Sequence, residues 1–80
     1  MSKHIYTSEQ ERLQALLRQI RQEAGLRQID LAQRLGQSQS FVSKYESGER
    51  RLDLIELRQI CSAVGITLED FVRRFEDALK

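Results

Sequence analysis

Along the chain, apolar side chains recur at helical spacing in five separate stretches, each bounded by a turn residue or a capping residue. In the first stretch, Leu13, Leu16, Leu17, Ile20 and Ala24 share one stripe of an amphipathic helix. Ser8 followed by Glu11 has the spacing of a capping box. That spacing predicts a helix beginning at Ser8, with residues 1–7 left as a flexible arm. Gly25 stands where this helix should close, and Leu26 can fold back over its last turn.

The second stripe, Leu31, Ala32 and Leu35, predicts a helix from Gln28 to Leu35 that ends at Gly36. Its cap position holds Arg27, whose side chain cannot accept from the first amides as a Ser or Asn would. Ser38 is a good cap for a third helix, which carries only Val42 and Tyr45 as its apolar stripe and ends at Gly48. Asp53 with Glu56, and Leu52 with Leu57, supply a capping box and an apolar staple for a fourth helix. Leu57, Ile60, Cys61 and Val64 line one side of it, and Gly65 stops it. Thr67 with Asp70, and Ile66 with Phe71, repeat the same start signal for a C-terminal helix over 67–79. Its stripe is wide: Leu68, Phe71, Val72, Phe75 and Leu79. The expectation is an all-α fold, with residues 1–80 forming a single domain.

Composition narrows this picture. Eighty residues, 40% of them apolar and 31% charged, allow one economical core and argue against disorder. Proline is absent and glycine rare, which favours several helices with short connections. No apolar run approaches membrane-spanning length, and MSKHIYTSEQ lacks the apolar segment of a secretory signal. A cytoplasmic chain with no membrane partner is expected. Cys61, the single cysteine, belongs to an apolar stripe, so a buried and inert thiol is expected. The one histidine, His4, falls in the arm. There is no metal-ligand cluster, activated nucleophile, pair of catalytic carboxylates or phosphate-binding glycine loop, so the sequence predicts a protein that is not an enzyme and takes no cofactor or metal.

Charge is informative by distribution rather than by total. The formal net charge is +1, but residues 1–25, 26–52 and 53–80 carry +1, +2 and −2 respectively. The middle of the chain is basic and its end acidic, a gradient that would turn one face toward phosphate.

That middle segment also holds the residues with candidate chemistry. From 28 to 46 the pattern is two short helices meeting at Gly36, and the second is too polar to be core. Off its apolar stripe lie Gln39, Ser40, Ser43 and Lys44, the side-chain types that read base edges and phosphate oxygens in a major groove. The segment therefore reads as a recognition helix, with these four as base contacts. Phe41 suits either a thymine methyl or packing against the domain, and its large area favours packing. Gln28 lies beside the unpaired amides of a helix start, where a phosphate could settle; taken alone it is an ordinary exposed polar residue. Arg50 and Arg51, just past the third helix, are further candidates for phosphate contact.

The run LRQIRQEAGLRQIDLAQRLGQSQSFVSKYESGERRLDLIELRQICSAVGI resembles the helix-turn-helix domain of the phage repressor and Cro class, the xenobiotic-response-element family of bacterial transcriptional regulators. The likeness spans residues 13 to about 72. It rests on Arg21, Gly25, Leu26, Gln28, Leu31, Ala32, Leu35, Gly36, Ser38, Val42, Ser43, Glu46, Gly48, Leu57 and Gly65 in order. The resemblance implies a five-helix lambda-repressor-like fold whose second and third helices read DNA. It implies that Gln28 binds a phosphate and supports Gln39, that Gln39, Ser40 and Lys44 face bases or phosphates with Ser43 sharing in this, and that Arg21 and Glu46 form a structural ion pair. Arg27 departs from the family's capping hydroxyl or Asn.

The function so implied is sequence-specific binding of double-stranded DNA by a homodimer on a pseudo-palindromic operator. Phe75 and Leu79 are expected near the dimer seam, because a small monomer rarely leaves a contiguous apolar patch uncovered. Two alternatives use the same fold: an antitoxin or adaptor that holds a protein partner, such as a toxin or another regulator, through the last helix and Ile29, and a restriction-modification controller protein.

Overall fold

In the computed structural model, which describes the backbone from Ser2 and the side chains from Ser8, the chain forms α1 (Ser2–Glu23), α2 (Gln28–Leu35), α3 (Gln39–Ser47), α4 (Leu54–Val64) and α5 (Leu68–Ala78). No strand occurs among the described residues. The expected cap at Ser8 is not one: α1 is already helical from Ser2, which puts Ser8 in its interior. The segment SKHIYT contains no Gly or Pro to stop a helix, and a Ser-x-x-Glu pattern loses its capping role once preceding carbonyls satisfy the amides. Met1, the first residue of the expected arm, lies outside the described residues.

Each later start is capped locally. Ser38 Oγ accepts from Phe41 N at 3.3 Å, Asp53 Oδ1 from Glu56 N at 2.7 Å and Thr67 Oγ1 from Asp70 N at 3.0 Å. Glu56 returns the favour by accepting from Asp53 N at 3.0 Å, which completes the capping box. The α2 start is built differently. Asp30, three residues on, accepts the Arg27 backbone N–H at 2.9 Å and also both guanidinium bonds, each at 2.9 Å. The Arg27 side chain cannot cap by accepting, so Asp30 supplies the side-chain acceptor and the arginine closes over it.

Two turns place the reading unit. Gly36 takes φ +67°, a conformation that side chains resist, and lets Gln37 N reach back to Ala32 O at 2.9 Å. Gly48 takes φ +88° at the far end of α3, and a Cβ there would run into the Gln14 side chain. A tight connection before α3 and a sharp exit after it fix the helix at both ends.

The core draws on every helix: Leu16, Leu17 and Ile20 from α1, Leu31 and Ala32 from α2, Val42 and Tyr45 from α3, Ile60 and Cys61 from α4, and Phe71 from α5. Full burial of such side chains stabilises by about 1.5–3 kcal/mol each. Cys61 is fully buried and burial pushes its thiol above the usual range, which makes it a small apolar filler. Ala24, placed in the α1 stripe by spacing, is exposed instead because α1 ends at Glu23 and Ala24 belongs to the turn that follows. Polar ties hold the outer helices. Arg34 of α2 donates to Ala63 O at the end of α4 at 2.8 Å, and Arg74 of α5 pairs with Glu23 of α1 at 3.0 Å.

Candidate nucleic-acid interface

The inward and outward sides of α3 separate cleanly by side-chain chemistry. Val42, Tyr45 and Glu46 are buried, whereas Gln39, Ser40 and Lys44 are exposed and Ser43 is half-buried. Residues three and four apart share a helix face, so the four polar side chains form one outward row. Tyr45 and Phe41 meet edge to face with ring centroids 5.5 Å apart. Phe41 is therefore spent on packing, the use its area favoured. Burial raises the Tyr45 phenol pKa and keeps it protonated, and its hydroxyl finds no hydrogen-bond partner among the described residues.

Glu46 is the exception on the buried side, and its partners explain it. Arg21 Nε donates to Glu46 Oε2 at 2.7 Å and Arg21 Nη2 donates to Glu46 Oε1 at 3.0 Å, a two-pronged pair with side chains only 11% and 3% exposed. Arg21 Nη1 also donates to Leu26 O at 2.9 Å, which ties in the connection between α1 and α2. The hydrogen bonds to Glu46 raise the arginine's pKa further, so the guanidinium stays charged. One ion pair thus fastens α3 and the start of α2 to α1.

The candidate phosphate contacts fall into three situations. Gln28 is half-buried at the first position of α2, and its Nε2 donates to Glu46 Oε1 at 3.1 Å. Beside it, the amides of the first helical turn have no intrahelical acceptors. Arg50 is already committed. It donates to Glu56 at 3.1 and 2.8 Å and to Arg51 O at 3.1 Å, and its guanidinium lies 4.7 Å from the centre of the Phe41 ring. These bonds brace the loop between α3 and α4, while 40% of the side chain stays exposed. Arg51 is exposed on that same loop.

Sequence reasoning missed three features here. Asp30 as the acceptor at the α2 start was legible in principle, since it stands at capping-box spacing from Arg27. Glu56 as the partner of Arg50 had only a six-residue separation as its signal. Leu54 and Ile55, 65% and 70% exposed at the start of α4, sit off the stripe that points to the core, so periodicity carries no signal for them.

Two short helices joined at a left-handed glycine, with the second held at both ends and presenting a polar row, define a helix-turn-helix protein. Comparison with known proteins agrees. Residues 17–71 match the helix-turn-helix family, and the chain belongs to it, in the XRE class of DNA-binding transcription regulators. An XRE-family-like protein from Pseudomonas syringae pv. tomato str. DC3000 is 41% identical with a TM-score of 0.86, covering 95% of this chain and 93% of that one. The clp gene regulator ClgR from Corynebacterium glutamicum is similar at 25% identity and a TM-score of 0.78, covering 89% of this chain and 76% of that one. A second ClgR structure gives 25% identity and a TM-score of 0.77, over 90% and 92% of the two chains. No protein of curated function matches the chain.

Proposed function

We propose that this regulator binds a specific duplex sequence as a homodimer on a pseudo-palindromic operator, with α3 lying in the major groove. The observation that carries the reading is the row of Gln39, Ser40, Ser43 and Lys44 on a helix whose opposite side is buried. Gln39 can donate to and accept from adenine together, Ser40 and Ser43 can pair with several base edges, and Lys44 reaches bases or the phosphates beside them. Gln28 and Arg51 flank the row and supply phosphate contacts. Arg50 serves by holding that loop in place.

A single unit this small makes few base contacts, and two copies would meet successive major-groove faces about 34 Å apart. Val72 and Phe75 lie along one stripe of α5, and Leu79, its C-cap, continues it. Val72 is 45% and Leu79 36% exposed, while Phe75 is half-buried against its own core. The seam therefore rests on Val72 and Leu79, with Phe75 behind them.

Binding to a duplex selected from a random pool should weaken steeply with added salt. Lys44→Glu should lower the affinity roughly tenfold to a hundredfold while leaving the circular dichroism spectrum unchanged. Retained affinity in that variant would sink the assignment of the row. Sedimentation should report a dimer that Leu79→Glu converts to monomer; Phe75→Glu is a poorer probe because it would also injure the core. A chain that copurifies with a protein and ignores DNA at moderate salt would favour the adaptor reading instead.

A further inference from the structure

We propose that Glu46, beyond closing the ion pair with Arg21, is a positioning residue that aims the Gln28 side chain at the DNA backbone. The two ends of a glutamine amide are nearly the same size, so which end faces outward depends on its neighbours. A carboxylate can only accept. Glu46 Oε1, already bonded to Arg21 Nη2 at 3.0 Å, stands 3.1 Å from Gln28 Nε2, so the amide nitrogen must face inward. The one remaining Gln28 N–H is then left to donate to a phosphate oxygen, while Oε1, which can only accept, is left for solvent or another donor.

This arrangement also answers an electrostatic objection. A carboxylate close to a phosphate site would repel the phosphate, but Arg21 supplies the compensating charge through two short bonds to the same group. The pair is close to neutral as seen from Gln28, while its local dipoles still hold the amide. The residue proposed to contact a phosphate is in this way wired to an ion pair that also holds α1 to α3. The inference rests on the DNA-binding reading for its consequence, but not for the contact itself.

The test separates the two. Replacing the pair together, as Arg21→Met with Glu46→Leu, removes both charges and substitutes apolar groups, an exchange that folded domains often accept. In the native background, Gln28→Ala should weaken binding to the selected duplex about tenfold, the scale of one charge-assisted hydrogen bond. In the apolar background the affinity should already be lower by a similar factor, and Gln28→Ala should add nothing. An equal loss in both backgrounds would overturn the proposal.

A second measurement needs no DNA. The Gln28 side-chain amide protons should show slowed exchange with water in the native protein by NMR and solvent-like exchange once Glu46 is replaced. Unchanged exchange overturns the proposal whatever the duplex results. If the apolar pair does not fold, the native protein alone keeps the test: solvent-like exchange of the Gln28 side-chain amide protons there overturns the proposal. Should the native chain bind no duplex at all, the proposed function fails, and the exchange measurement alone decides whether Glu46 orients the amide.

Discussion

Two arginine–glutamate pairs in this domain have the same chemistry and different surroundings. Arg21 gives two bonds to Glu46 at 2.7 and 3.0 Å, and Arg50 gives two to Glu56 at 3.1 and 2.8 Å. The first pair is 11% and 3% exposed, whereas the second keeps 40% and 24% of its side-chain surface in water. Inside, neither ion can turn freely to solvent, so each depends on the other for charge compensation. Outside, water takes over for whichever partner is lost, and the net worth of the bond shrinks. The inner pair joins helices distant in sequence, and the outer one shapes a loop at the edge of the proposed DNA face. Burial, more than bond length, decides which pair the fold depends on.

The sharpest way to break this contrast is Glu46→Ala, which strands a buried guanidinium. Chemical denaturation should show a loss of about 3–5 kcal/mol, a large part of the stability of a small domain. A loss no larger than that of a surface pair would mean the inner site is wetter than its geometry indicates. Glu56→Gln should do less. It keeps the shape of the side chain and weakens both the Arg50 bonds and the α4 capping box, so the denaturation midpoint should move by well under the shift of the Glu46 variant. Its clearer effect should be on the Arg50 and Phe41 stack, read as sharper mobility of the 48–53 loop by NMR relaxation.

The smallest effect is expected from Asp30, another carboxylate held by an arginine but lying at the surface. The Arg27 side-chain bonds, followed by the Arg27 backbone N–H, lower its pKa from the ordinary 3.8 to about 2. A depressed carboxylate contributes stability that is present above its unfolded pKa and fades as pH falls through the folded one. The α2 start should therefore loosen between about pH 4 and pH 2, and a carbon-13 titration of the Asp30 carboxyl should show its midpoint near the lower end. Glu56 and Glu23 are likewise lowered, by Arg50 and by Gln19 with Arg74 respectively, and should follow the same direction. A midpoint for Asp30 near 4 would show that the clasp with Arg27 does not persist in solution.

Much of the fold was legible because its signals are local. Asp53 with Glu56, and Ser38 alone, announce helix starts within one turn of chain, and the stripe Leu16, Leu17 and Ile20 announces a buried face without reference to any partner. The reading failed where a local signal had a competitor. Ser8 with Glu11 is a good cap pattern, yet nothing in residues 2–7 ended the helix before it. Ala24 fits the period but lies one residue past the end of α1 at Glu23. For the site, the polar row on α3 was visible because a helix with so few apolar positions has little else to bury.

What the sequence determined by itself was the set of five helices, the face each one buries and the row of side chains left over on α3. These follow from periodicity and capping, which involve residues at most a few turns apart. Only the tertiary structure decided that Gln28 meets Glu46, that Arg50 is taken up by Glu56 and Phe41, and that Leu54 and Ile55 stay in water. A period tells which way a side chain points around its own axis, but its neighbour across a gap depends on the angles and separations at which whole helices come to rest.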